Sequence, residues 1–216
     1  MTDLQIKTSK GRWAVALTIW FAAVIACFAA LAHYSYQPGD AGLPPMLSRT
    51  SLLVSIPKGH HLLVMGLHPQ CPCSRASLAE LERLIARCEG QLQCVVLAYQ
   101  PRTAGSWEDS STVEFAKHLP DTKVVTDFDG QLAEQFKIHT SGGVVLYSPH
   151  GEPEFHGGIT SARGHEGDNV GSESIVGWVF GRSLRYQSSP VFGCGLQDKG
   201  AGMDQVASSN ERESLP

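Results

Sequence analysis

The run His61-Leu-Leu-Val-Met-Gly-Leu67 is apolar without interruption over the length of a strand, and within a few residues it passes into a helical pattern. A strand with one wet face alternates apolar and polar residues, whereas an unbroken apolar run is covered on both sides. The chain must therefore build a sheet with elements packed against each face. In the helix that follows, Pro72 suits a first helical position. Leu78, Leu81, Leu84, Ile85 and Cys88 then recur on one side, and Gly90 ends the pattern. Cys94-Val-Val-Leu-Ala-Tyr99 is a second buried strand, a helix is expected around Glu108 to His118, and Lys123-Val-Val-Thr126 is a third strand. A short helix from Gly130 to Phe136 leads to Gly143–Ser148 and Glu152–Ile159, which flank Pro149-His150-Gly151 as a hairpin. A last helix is expected from about Ser172 to Tyr186. Strand, helix, strand, helix, strand, hairpin, helix predicts an α/β domain with a mixed central sheet and helices on both faces.

Ahead of this domain lies a different kind of segment. From Trp13 to Ala32 run twenty residues whose only polar member is Thr18. As a helix they would span ~30 Å, the thickness of a bilayer's hydrocarbon core. Lys7, Lys10 and Arg12 precede the run against a single Asp3, which favours a cytoplasmic N-terminus and export of the rest. An uncleaved anchor is the primary reading, because the run exceeds the ~7–15 residues of a typical signal-peptide core. A cleaved signal ending at Ala30-Leu31-Ala32 and a lipid anchor on Cys27 are the alternatives, and all three place the domain outside the cytosol, where disulfides persist. The expected organisation is residues 1–12 cytoplasmic, 13–33 transmembrane, 34–50 linker, 51–186 folded domain and 187–216 a C-terminal tail, largely disordered. With a net charge of −4 there is no basic field for gripping nucleic acid, so that class is excluded.

The chemistry concentrates at His68-Pro-Gln-Cys71-Pro-Cys73-Ser-Arg75, between the first strand and its helix. Cys71 falls where the helix N-cap is expected, with Pro72 as the first helical residue. The free N–H groups and partial positive charge of a helix start favour a thiolate, and Arg75 adds a cation. With one intervening residue, the two sulfurs cannot easily reach unstrained disulfide geometry, which suits exchange better than structural stapling. Inert thiols, or half of a metal site, are the competing readings.

This order of elements, with a cysteine pair where the first buried strand meets its helix, resembles the thioredoxin superfamily. The nearest likeness is to membrane-tethered extracytoplasmic thiol–disulfide oxidoreductases of the TlpA and ResA kind and their RedB-like relatives, over residues 50–186. Those proteins carry a Cys-Pro-Pro-Cys-Arg run, against which Cys71-Pro72-Cys73-Ser74-Arg75 keeps the first cysteine, the proline and the arginine. The resemblance implies a thioredoxin-like fold with Cys71 as nucleophile. Ser74 stands at the family's second cysteine, so the resolving role passes to a displaced thiol, Cys73. It also implies that Ser141, Gly142 and Gly143 bind substrate, although the loop Thr140-Ser141-Gly142-Gly143 lacks the family's cis-proline. The implied partners are exported protein thiols or disulfides and a redox donor, with no cofactor. The alternative is a copper-binding accessory protein of Sco-like type, using the same cysteines and a histidine. The threonine-rich approach to the cysteine that marks peroxiredoxins is absent.

A second constellation, His156-Gly-Gly-Ile-Thr-Ser-Ala-Arg163-Gly-His165-Glu-Gly-Asp168-Asn169, is dense in glycine, histidine and acid. His156 or His165 is a candidate proton shuttle or third ligand beside the sulfurs. The competing reading is a loop whose polar side chains cap the last helix. Cys88 and Cys94 bracket a turn and are open to two readings, a structural disulfide or two buried small hydrophobes. Cys194 follows the last helix, either folding back as an extra resolving thiol or standing free.

Overall fold

The computed structural model describes residues 2–47, 59–103, 107, 109–183 and 185–197. It divides into two compact units, 1–37 and 38–216. The first is a single helix, α1 (Thr2–Tyr36), in which Gly11–Tyr36 is long and apolar enough to cross a membrane. Its large side chains, among them Trp13, Trp20, Phe21 and Phe28, are exposed, as they would be on a surface made for lipid rather than for a protein core.

In the second unit a five-stranded sheet has the order β3-β2-β1-β4-β5. Its strands are β1 (His61–Leu67), β2 (Leu92–Gln100), β3 (Thr122–Phe128), β4 (Gly143–Tyr147) and β5 (Pro153–Gly158). β1 pairs in parallel with β2, and β2 with β3; β4 lies antiparallel to β1 and β5 antiparallel to β4. The helices are α2 (Ser74–Arg87), α3 (Ser111–Lys117), α4 (Gln131–Gln135) and α5 (Val170–Val179). A central parallel β-α-β unit extended by an antiparallel hairpin and closed by a helix is the thioredoxin-like arrangement.

The unbroken apolar run of β1 serves two cores. Leu63, Met65 and Leu67 pack with Leu78, Leu81, Leu84 and Ile85 of α2 and with residues of α3 and α5, while Leu62 and Val64 face Ala133, Phe136, Ile138 and Leu196. Each such aliphatic side chain contributes ~1.5–3 kcal/mol on full burial, so substitutions on either face of β1 are felt. Cys88 and Cys94 are free thiols buried in the first core, where they pack as small hydrophobes. Burial pushes the Cys88 thiol up to about 11 and raises Cys94 further in the same direction.

Three boundaries differ from the sequence reading. α2 begins at Ser74 with Cys73 as its N-cap, so neither Cys71 nor Pro72 opens it. Instead Cys71 O accepts from Ser74 N–H at 3.0 Å, a turn that holds Cys71 just ahead of the helix. The last helix ends at Val179 rather than near Tyr186. There Gly181 N–H donates to Trp178 O and Arg182 N–H to Gly177 O, turning the chain away. Finally, residues 187–197, taken as the start of a tail, pack on the domain, with Val191, Phe192 and Leu196 buried. The remainder of that tail, 198–216, and linker residues 48–50 lie outside the described residues. The described part of the linker is also tied down: Gly39 N–H donates to Val191 O, Gly42 N–H to Lys137 O and Leu47 N–H to Gly151 O.

Candidate functional site

The site forms where β1 ends, α2 begins and the β4 approach loop returns. His68 leaves β1 with its N–H donating to Ser141 Oγ at 2.8 Å. Ser74 Oγ donates to His68 O at 2.9 Å and lies 2.8 Å from Ser141 Oγ. Both serines are buried. A buried hydroxyl left unpaired is costly, so this closed set fixes the loop against the start of α2. The His68 ring stacks on Tyr99 with centroids 5.3 Å apart and meets Trp107 at 5.4 Å.

Cys71 is held in this frame by its own N–H, which donates to His68 O at 3.0 Å, and it is only 5% exposed. Its sulfur lies 2.7 Å from that of Cys194, a residue 123 positions away. Burial pushes the Cys71 thiol up. Hydrogen bonds from the Cys194 thiol, the backbone N–H groups of Cys194 and Cys73 and the Ser74 hydroxyl outweigh it, and the net direction is down. The other two thiols move the opposite way. Burial and then the charge and hydrogen bond of Cys71 raise Cys73. Burial and the same hydrogen bond push Cys194 up to about 12. Of the three, Cys71 is the one biased toward thiolate.

The cation that acts here is Arg163, whose charge favours the thiolates of Cys73 and Cys194 and whose guanidinium donates to Gly193 O. Arg75, expected in this role, is exposed and does not figure among the groups that act on Cys71.

Cys194 reaches Cys71 because its segment docks on the loop as an added strand. Ser141 N–H donates to Cys194 O at 2.8 Å, Leu196 N–H donates to His139 O at 2.8 Å, and Thr140 and Gly195 form an antiparallel bridge between them. Gly193 is required by close approach, since a Cβ there would lie 2.0 Å from Ser141 O. Of the expected substrate-binding residues, Ser141 thus has its backbone N–H occupied by Cys194. Gly142 donates to Gly66 O at 2.8 Å, and Gly143 donates to Thr140 O at 3.0 Å. Gly142 has φ +85°, which a side chain would strain, and its Cβ would meet Ser77 Oγ at 2.5 Å.

The histidine readings do not gain support from the geometry. His156 sits on β5 with its N–H donating to Gln187 O, half-buried, with burial lowering its pKa. His165 is exposed, its Nδ1 2.8 Å from Arg163 O. Neither acts on any of the three thiols. Among the described residues no three of His, Cys, Asp and Glu stand where they could share a metal ion. The rest of their loop does cap and brace. Asn169 Oδ1 accepts from Ser172 N–H at 2.8 Å at the start of α5. The buried Glu80 accepts from Gly167 N–H at 2.6 Å, and Arg83 bridges Glu80 to Glu166.

No protein-family model matches this chain, and no curated protein does. Among solved structures it resembles a hypothetical protein of Sinorhizobium meliloti 1021, at 18% identity and a TM-score of 0.54, over 66% of this chain and 82% of that one. It also resembles an uncharacterized conserved protein of Geobacillus kaustophilus, at 17% identity and a TM-score of 0.54, over 77% of this chain and 95% of that one. A further match, at 16% identity and a TM-score of 0.39, is a secreted Mycobacterium tuberculosis disulfide oxidoreductase, over 57% of this chain and 83% of that one. The first two bear on the fold alone, and the third is too remote in shape to add to it.

Proposed function

We propose that residues 51–186 and the strand that follows them form a thiol–disulfide oxidoreductase, tethered to a membrane by α1 and working on the extracytoplasmic side, with Cys71 as its nucleophile. The observation that carries the reading is the placement of Cys71 just ahead of α2 with the Cys194 sulfur 2.7 Å from its own, where hydrogen bonds lower the pKa of its thiol while burial raises those of Cys73 and Cys194. The thiolate is the form that attacks a disulfide. A second thiol must then close on Cys71 to release the product, and two stand beside it. Cys73 is the partner offered by the Cys-Pro-Cys dithiol, Cys194 the partner offered by the fold.

Exported protein disulfides fit as substrates, because backbone groups of the 139–141 segment can pair with an extended peptide, as they now do with the chain's own strand. A separate donor of reducing equivalents would restore the dithiol. The basic flank Lys7, Lys10 and Arg12 supports the orientation with the domain outside. The copper-binding alternative would need a histidine to join the two sulfurs, and neither His156 nor His165 does so. Reduction of insulin disulfides, followed with the full-length protein in detergent and with Cys71→Ser, tests the proposal. Activity in the first and its loss in the second are expected; activity that survives Cys71→Ser would refute it.

A further inference from the structure

Cys73 is the thiol that the sequence pairs with Cys71, yet the structure brings another sulfur to it. We infer that Cys194, carried on a C-terminal strand that docks along residues 139–141, is the thiol that closes the disulfide with Cys71. The inference rests on the exchange reading above and names the second half of that reaction.

Four observations carry it. The Cys71 and Cys194 sulfurs are 2.7 Å apart, against the ~2.05 Å of a formed bond, so closure needs only a small movement. The approach is built rather than incidental. Backbone hydrogen bonds on either side of Cys194 fix its position along the loop, and Val191, Phe192 and Leu196 are buried around it. Arg163 grips Gly193 O, the residue before Cys194, and its charge favours the Cys194 thiolate. By contrast, a Cys71–Cys73 bond would close across the turn in which Cys71 O accepts from Ser74 N–H, with Cys73 in a helical conformation as N-cap. A ring so small strains the disulfide dihedral.

The Cys71 thiolate attacks one sulfur of a substrate disulfide R–S–S–R′, forming Cys71–S–S–R and expelling R′–S⁻, which takes up a proton. The Cys194 thiol gives up its proton, attacks Cys71 Sγ and forms the Cys71–Cys194 disulfide. R–S⁻ leaves and is protonated. Two electrons have passed from the protein's thiols to the substrate, with one proton from Cys194 and one from solvent. The order of the steps is set by charge. Burial raises the Cys194 thiol most, the hydrogen bond and charge of the Cys71 thiolate raise it further, and these last two effects vanish once Cys71 is in the mixed disulfide. The same release applies to Cys73, so position rather than titration chooses between them. With the strand docked, Cys71 is 5% exposed, so a protein disulfide enters when the strand lifts; the Cys73 N–H and Ser74 hydroxyl still favour the Cys71 thiolate then, and the strand's return delivers Cys194.

The test uses the full-length protein in detergent, reduced, exposed to oxidised glutathione, quenched with N-ethylmaleimide, digested and mapped by mass spectrometry. The wild type and Cys73→Ser should both yield the cross-linked pair of peptides containing Cys71 and Cys194. Cys194→Ser should instead accumulate Cys71 carrying one glutathionyl group. Because Cys194 is partly exposed, serine there leaves the core intact, and the glutathionyl adduct itself reports a competent Cys71. A Cys71–Cys73 link in the wild type, with closure undiminished in Cys194→Ser, would overturn the inference and leave the exchange reading standing. If Cys71 takes up glutathione in none of the variants, the exchange reading and the inference fall together.

Discussion

Gly193→Ala separates the docked strand from the rest of the domain. The added Cβ would lie 2.0 Å from Ser141 O, where ordinary contact begins near 3.4 Å, an overlap of 3.4 − 2.0 = 1.4 Å with backbone that cannot rotate away. Ser141 is itself pinned through its hydroxyl to His68 and Ser74, so the strand must yield. Overpacking of this kind costs about 1–3 kcal/mol. Applied to the docked state alone, that shifts the ratio of docked to lifted strand by roughly 5- to 160-fold. The readout is the rate at which iodoacetamide modifies Cys71 in the reduced protein, since a buried thiol reacts through local opening. Gly193→Ala should raise that rate and slow formation of the Cys71–Cys194 disulfide by comparable factors. Gly195→Ala, two residues along the same strand, is the matched control, because its Cβ would meet only Gln197 O at 3.5 Å. It should behave as wild type. Equal rates in all three proteins would refute the idea that this strand covers Cys71.

Other expectations follow from the frame around the site. Asn169→Ala removes the side-chain cap of α5 and should cost about 1 kcal/mol, a fall of about 2–4 °C in Tm, read by circular dichroism. The Asp127 carboxylate accepts from both Leu132 and Ala133 N–H at the start of α4 and is almost fully buried; Asp127→Ala should destabilise the domain by about 1–3 kcal/mol in urea titration. The full-length chain should fractionate with membranes, while a chain beginning at Pro38 should not; recovery of the shorter chain with membranes would argue against α1 as the tether.

The sheet and its order of elements were legible because β1 and β2 are apolar on both faces and α2 carries a clean apolar stripe. The period alone marks them. The end of the last helix was not legible, since only the turn at Gly181 shows that it stops at Val179. Cys71 was placed by its position between strand and helix, although the helix starts later than expected and its thiolate is favoured by specific hydrogen bonds instead of a cap position. Arg75 is exposed in the first turn of α2, while the cation that acts on Cys73 and Cys194 is Arg163, from a loop that the sequence singled out for its histidines. Cys194 was the hardest to place. Its segment is rich in serine and glycine, which reads as tail, and its docking depends on backbone pairing with residues 139–141, a long-range register with no local signature. The one available cue was the short apolar stretch at Val191-Phe192, next to a cysteine and glycines that permit close approach.

The proposed role of Cys71 as nucleophile is tested most directly by the pH dependence of its alkylation. With iodoacetamide in excess, the modification rate of each cysteine peptide is followed by mass spectrometry from acid to alkaline pH in the full-length protein. The rate tracks the thiolate fraction, so a lowered pKa moves the midpoint to lower pH. Cys71 should show a midpoint below the ~8.5 of a free thiol, and Cys73 and Cys194 midpoints above it. In Cys194→Ser, where the serine hydroxyl replaces the thiol donor, Cys71 should remain the most acidic of the remaining pair. A Cys71 midpoint at or above that of Cys73 in both proteins would contradict the assignment.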